Sequence, residues 1–281
     1  MFEIVFLFVL GLIWIIFATV QDAKTREISN WLNFSLAIFA IGFRFFYSLF
    51  SSNWNFLFQG LIGLGIFFVL GNIFYYTRIF AGGDAKLLIS LGAILPIFSS
   101  FTSNLTSFVF FLILFLFIGA FYGLVYSFFL VGKNFNNFRK NFSLSIKRNK
   151  TVILLFLLFA IILGVLGFIS ELFFYLGLLI FIMPYLFIYA KTLERSCLVK
   201  SISSNKLQEG DWLLKDVRIG RKIMKTSWEG LTLDQIKVLK KSNQKIKIKE
   251  GIPFAPVFLI SFVLFFILFF TGILEIIFSF F

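Results

Sequence analysis

Histidine is absent from the 281 residues, and cysteine occurs once, at Cys197. Without histidine there is no Ser-His-Asp or Cys-His nucleophile arrangement and no imidazole metal ligand. One thiol allows neither an intramolecular disulfide nor a Cys-rich metal cluster. Acidic residues are scarce as well, 13 against 26 Lys and Arg, for a formal charge of +13. Carboxylates are therefore the remaining candidates for polar catalysis, and no metal or organic cofactor is expected. Long polar stretches are also few: 14% of residues are charged, 60% are hydrophobic, and 46 are Phe. A soluble domain of this size cannot bury so much apolar surface, so a bilayer must be the solvent. The basic excess then needs no nucleic acid, because membrane proteins concentrate Lys and Arg in cytoplasmic loops. The first apolar run lacks a basic leading segment and a small-residue cleavage site, which marks it as a retained span.

Apolar runs long enough to cross a hydrocarbon core of ~30 Å lie at residues 2–20, 31–50, 56–77, 107–131, 151–169, 172–190 and 254–281. An eighth, 85–98, is short and ends at Leu95-Pro96, where proline disfavours helical continuation. It is expected to be a short or partly re-entrant helix that begins in a protein-lined polar recess. The sequence thus predicts an α-helical polytopic membrane protein of about eight membrane helices, the short one following Asp84, with a small α+β cytoplasmic lobe. Residues 1–190 would form the membrane core, 191–253 the lobe and 254–281 a last membrane helix. Eight crossings place 25 of the 26 Lys and Arg on one set of alternate loops, and the opposite loops hold none. By the positive-inside bias those loops are cytoplasmic and both termini lie outside. Within the lobe, Thr232 and Gln235 form the pattern of a capping box opening a helix to about Ser242, and Lys245-Ile246-Lys247-Ile248-Lys249 alternates as a half-buried strand does.

Charges near a bilayer are costly, so each acidic residue beside a span needs a reason. Glu3, Glu171 and Glu275 fall near the outer edge, where a solvated interface position suffices. Arg44 lies inside the second span towards the outer side, where its long stem would snorkel. Asp22 and Asp84 differ, since both sit at the cytoplasmic edge at one depth and could meet. For Asp22 alone a boundary carboxylate is as good a reading. For Asp84 it is weaker, because Gly82-Gly83 precedes it and an apolar helix follows. Two residues without side chains allow close approach of another backbone and unusual dihedrals, as an extended peptide at an open site requires. Two carboxylates close together at reduced dielectric share one proton: one activates water, the other polarises the peptide carbonyl. The roles can exchange, so neither aspartate is assigned a fixed one. Lys24 and Lys86 each follow an aspartate by two positions; cytoplasmic anchoring is their plainer reading, tuning of the pair or contact with substrate the functional one.

At these residues the sequence resembles the type IV prepilin peptidase family, in particular its archaeal preflagellin peptidase branch. Asp22-Ala23-Lys24-Thr25-Arg26-Glu27-Ile28-Ser29-Asn30 looks like the family's first aspartate motif, and Gly82-Gly83-Asp84-Ala85-Lys86-Leu87 like its GxGD motif, with Ala81 in place of the first glycine. Gly251-Ile252-Pro253-Phe254-Ala255-Pro256 resembles the family's late re-entry into the membrane. The resemblance implies a membrane aspartic endopeptidase that removes the short basic leader of preflagellins or prepilin-like proteins at the cytoplasmic face of the cell membrane. Asp22 and Asp84 would be catalytic, and Gly82, Gly83, Lys24 and Lys86 would support substrate binding. The lone cysteine implies that the Cys-rich insertion of methylating bacterial members is absent, and so peptidase activity without N-methyltransferase activity.

Three rivals remain in view. A presenilin-type protease shares GxGD but carries a Tyr-Asp pair inside a span, where this chain has Gln21-Asp22 and a polar turn. A cation- or proton-coupled transporter using Asp22 and Asp84 expects inverted repeats and mid-membrane polar residues. A scaffold, whose aspartates merely anchor helices, expects carboxamide replacement to be silent. A basic loop at 133–150 would repel a basic leader, and Glu27, Glu209, Asp211, Asp216 and Glu229 are the acidic residues that could offset it.

Overall fold

The computed structural model describes all residues except 208–209, 220–221, 228–229, 242–243 and 279–281. The chain divides into two compact units, Met1–Gly123 with Ile252–Phe281, and Leu124–Gly251.

The first unit holds α1 (Phe2–Thr25), α2 (Asn30–Ser51), α3 (Trp54–Tyr76), the short α4 (Gly82–Leu91), most of α5 (Phe101–Lys133), α10 (Ala255–Phe270) and α11 (Ile273–Phe278). Its core is built largely from phenylalanine: Phe67, Phe111, Phe115, Phe258, Phe262, Phe265 and Phe266 are fully buried. Lipid gives apolar side chains no reason to gather, so tight packing must hold the helices together. Edge-to-face rings such as Phe67 on Phe108, 5.3 Å between centroids, provide it.

Small residues provide the rest. On α3, Gly71 faces Ala85 and Ile89, and Gly63 faces the carbonyl of Gly92 and the Pro96 ring. A β-carbon on Gly63 would stand 2.3 Å from the Gly92 oxygen, so the two backbones touch here. Further along, Asn55 donates to the Ser99 carbonyl at 2.7 Å. Residues 82–99 therefore run antiparallel to α3 along nearly its whole length.

Only the first part of that run is helical, which corrects the expected helix at 85–98. Ten residues at 1.5 Å rise reach about 15 Å, half a bilayer core. The backbone then turns at Gly92, Ala93 and Ile94 and continues irregularly through the buried Leu95, Pro96 and Ile97. Non-helical backbone at this depth needs partners, and Arg44 supplies them. Its Nε donates to the Ala93 carbonyl at 2.8 Å, Nη1 to Phe56 at 2.8 Å, and Nη2 to Ile94 at 3.2 Å and Pro96 at 2.5 Å. The side chain is 0% exposed, and its guanidinium stands over the Phe56 ring. Arg44 thus does not snorkel; it replaces the hydrogen bonds that a continuing helix would have made.

The second unit contains the end of α5, then α6 (Phe135–Arg148), α7 (Lys150–Leu166), α8 (Glu171–Ser196) and a small mixed region. Strands β1 (Val199–Ser203), β5 (Lys245–Lys249) and β2 (Trp212–Leu213) form an antiparallel sheet in the order β1-β5-β2, beside a hairpin of β3 (Val217–Ile219) and β4 (Lys222–Met224). The strand at 245–249 buries Ile246 and Ile248, as its alternation predicts. Thr232 and Gln235 make both bonds of the capping box that opens α9 (Leu233–Lys240); the expected end near Ser242 lies outside the described residues. Leu207, Leu213, Met224, Leu231, Ile236, Leu239, Ile246 and Ile248 form its core.

The expected fold class is borne out: α1, α2, α3, α5 and α8 are long and apolar enough to cross a membrane, and α6 with α7 form a sixth candidate bent by 70°. The last apolar run is not one helix. It breaks at Thr271-Gly272, where Gly272 takes φ 74°, leaving α10 with 16 residues.

Candidate functional site

Asp22 lies in the last turn of α1 and is 6% exposed, although it carries a charge-bearing side chain at the end of an apolar helix. The turn closes at Arg26, which adopts the left-handed conformation (φ 62°) and sends its N–H back to the Asp22 carbonyl. Residues 26–29 then lead into α2. This link is braced by Gln21, whose Oε1 accepts from the Ser29 N–H at 3.2 Å and the Ser29 hydroxyl at 3.0 Å.

The braced link lies against the start of α4. A β-carbon on Gly83 would stand 3.2 Å from the Ile28 nitrogen and 3.3 Å from its oxygen, so backbone meets backbone only because Gly83 has no side chain. Gly82 is different, with only ordinary contact to the Tyr75 ring. Neither glycine uses positive φ. Of the two sequence arguments for this pair, close approach holds at Gly83, and special dihedrals hold at neither.

Asp84 is the third helical residue of α4, half-buried, and it hydrogen-bonds to the backbone of the N-cap residue Ala81. That placement is favourable for a carboxylate, since free N–H groups and the dipole of the helix start meet negative charge. Asp22 and Asp84 are near enough to act on each other electrostatically. The structure therefore brings together the two residues that the sequence could only place at one depth.

Asp22 has a second partner that sequence reading did not supply. Its Oδ2 accepts from the Ala255 N–H at 2.9 Å across 233 residues of chain, and the Phe254 backbone adds another hydrogen bond. These are the first N–H groups of α10, which has no side-chain cap of its own and carries Pro256 near its start. An apolar helix beginning Pro253-Phe254-Ala255-Pro256 without a local Ser, Thr, Asp or Asn must find its cap elsewhere. That is the one signal in the sequence that could have suggested it.

Two polar side chains on α2 fix α4. Asn33 is fully buried and donates from Nδ2 to the Gly83 carbonyl at 3.1 Å, while its main-chain carbonyl accepts from the Ser90 hydroxyl at 2.7 Å. Lys86 donates to Asn30 Oδ1 at 2.7 Å, which ties the residue two beyond Asp84 to the start of α2. Lys24 is exposed in the last turn of α1. Asn33 and Ser90 lack a local motif, and only the folded chain makes them neighbours. Among the described residues no three His, Cys, Asp or Glu side chains converge as a metal site would require.

Comparison with known proteins finds a family match that includes both aspartates. Residues 9–128 match the type IV leader peptidase family. A preflagellin peptidase of Methanococcus maripaludis is 35% identical over 91 residues, 32% of this chain and 39% of that protein. Preflagellin peptidases of Methanocaldococcus jannaschii and Methanococcus voltae are 32% and 28% identical over 89 residues, each match covering 32% of this chain and 38% of the relative. The chain thus spans about two fifths of the length of these relatives. The family resemblance drawn from the two aspartate motifs is borne out by these matches.

Proposed function

We propose that this chain, whose residues 9–128 match the type IV leader peptidase family, is a membrane aspartic endopeptidase that removes the basic leader of preflagellins or prepilin-like proteins. The observation that carries the reading is the convergence of Asp22 and Asp84 at the meeting of three helix ends, α1, α4 and α10. One carboxylate deprotonates a bound water for attack on the scissile carbonyl. Its partner holds a proton, polarises that carbonyl and later protonates the leaving amine. Hydrogen bonds to Ala255 on one side and Ala81 on the other orient the two groups, so neither must be ordered when substrate arrives.

The cytoplasmic sidedness of the site, both termini outside, is supported by the segregation of Lys and Arg onto alternate loops. It requires residues 82–99 to traverse the membrane, and their antiparallel course along α3 agrees with that. We take residues 1–190 as the membrane core, 191–253 as the cytoplasmic lobe and 254–281 as the closing membrane segment. Gly83 and Lys86 support the dyad through Ile28 and Asn30, whereas Gly82 and Lys24 would act on the substrate directly. Peptidase activity without methyl transfer is the reading for the lone Cys197.

The test is leader cleavage of a co-expressed preflagellin by wild type, Asp22→Asn and Asp84→Asn, with membrane insertion followed in parallel. Both variants are expected to insert normally and to lose about 10³-fold or more in cleavage rate. A variant that cleaves at the wild-type rate would remove its aspartate from the mechanism. Wild type inert towards several leaders would return the transporter and scaffold readings to the front.

A further inference from the structure

Residues 133–150 hold six Lys and Arg and no Asp or Glu. They are not an open loop, for α6 occupies most of the segment. At 3.6 residues per turn, Phe135, Phe138, Phe142 and Ile146 fall on one stripe. Lys140, Lys147 and Arg148 lie off it and Arg139 borders it, one turn from Phe135; all four are exposed. Among the described residues none of these four pairs with a carboxylate.

The position of α6 along α8 is informative. Phe138 is buried against the Tyr189 ring, Thr192 meets Ser145 at 3.5 Å, and Asn141 donates to the Ser196 hydroxyl at 3.0 Å. That is the level at which α8 passes from the apolar Ile188 to Lys191, Glu194 and Arg195, with Tyr189 at the change. A helix crossing there lies where hydrocarbon gives way to headgroups. Its axis is turned by 70° from that of α7, which is apolar from Val152 onward. With α7 across the bilayer, α6 lies nearly in the plane of the interface. Its apolar stripe is only partly covered by α8, since Phe135 at one end is 54% exposed.

A low overall hydrophobicity, a narrow aromatic stripe and a basic opposite face are the properties of helices that rest in the interface and attract anionic lipid. We propose that α6 is a lipid-binding helix whose partner is the anionic phospholipid headgroup, held by Arg139, Lys140, Lys147 and Arg148 while Phe135 and Ile146 enter the acyl boundary. This is independent of the peptidase reading. It also answers the difficulty of a basic loop facing a basic leader, because headgroup phosphates neutralise α6 at close range.

The experiment uses the full-length protein, exchanged from an equal mixture of phosphatidylglycerol and phosphatidylcholine into detergent, with retained lipid counted by native mass spectrometry. Wild type is expected to retain phosphatidylglycerol in preference to phosphatidylcholine, and free glycerol phosphate is expected not to release it. The variant with Arg139, Lys140, Lys147 and Arg148 all changed to Gln should lose at least half of that preference. A swap variant, Arg139→Lys, Lys140→Arg, Lys147→Arg and Arg148→Lys, should keep it, which separates charge from folding. Equal retention in the wild-type and Gln proteins would overturn the proposal. So would an environment-sensitive dye on Phe135→Cys, in a Cys197→Ser background, that reports bulk water in phosphatidylglycerol vesicles.

Discussion

Arg44 binds four backbone carbonyls and, among the described residues, no carboxylate, an arrangement that satisfies a broken helix and leaves a buried cation. Removing it strands those oxygens in a buried site, and each unpaired buried acceptor costs about 1–3 kcal/mol. Arg44→Met is therefore expected to destabilise the protein by about 3 kcal/mol or more, read as a lowered Tm in detergent. Arg44→Lys should fall between, since an ammonium lacks the fork that reaches several carbonyls at once. Asn33 makes the complementary case at the site, where one amide holds the peptide before Asp84. Asn33→Leu keeps the branching at Cγ and loses that bond. If Asp84 acts as proposed, leader cleavage should drop roughly 10- to 100-fold with insertion retained, the effect of a displacement of about 1 Å at a reacting group. An unchanged rate would make Asn33 a packing residue only.

Among the elements, α3 is the spine against which the broken segment lies, and its contacts are set by what is missing from Gly63 and Gly71. Gly63→Leu must push Gly92 away, because backbone oxygen cannot yield as a flexible side chain does. The expected loss is about 1–3 kcal/mol with disordered docking of α4; cleavage should fall along with Tm. Gly65→Leu, which meets nothing within 4 Å, is the control and should be nearly silent. In the second unit the capping box is a separate element with its own cost. Thr232→Ala should reduce stability of the strand-bearing region by about 0.5–2 kcal/mol, measurable by hydrogen exchange of α9 without a change in cleavage rate.

At the scale of the whole molecule, the family match covers residues 9–128, whereas the site reaches Ala255. A chain ending before Ile252 keeps both aspartates and loses the helix start that meets Asp22. Such a truncation is expected to insert and to leave leader uncleaved, and co-expression of the missing segment should restore part of the rate. Full cleavage by the truncated chain would reduce α10 to a membrane anchor.

The sequence by itself determined the solvent, the class of fold and the elements whose signals are local. A chain with so much Phe and so few charges has no soluble solution. The capping box at Thr232 and the alternation at 245–249 announce themselves within a few residues, because their partners lie one turn or one pleat away. The aspartate motifs were legible in the same way, as short patterns at two span ends. What only the tertiary structure decided is which of these meet and what holds them. Asp22 with Ala255, Asn33 with Gly83, and Arg44 with the carbonyls after α4 join residues that no helical or strand period relates. In a bilayer interior without water, an unpaired polar group must find some partner, and the sequence states the need without stating which backbone will meet it. The folded packing of α1 against α10, and of α2 against residues 82–96, makes that choice.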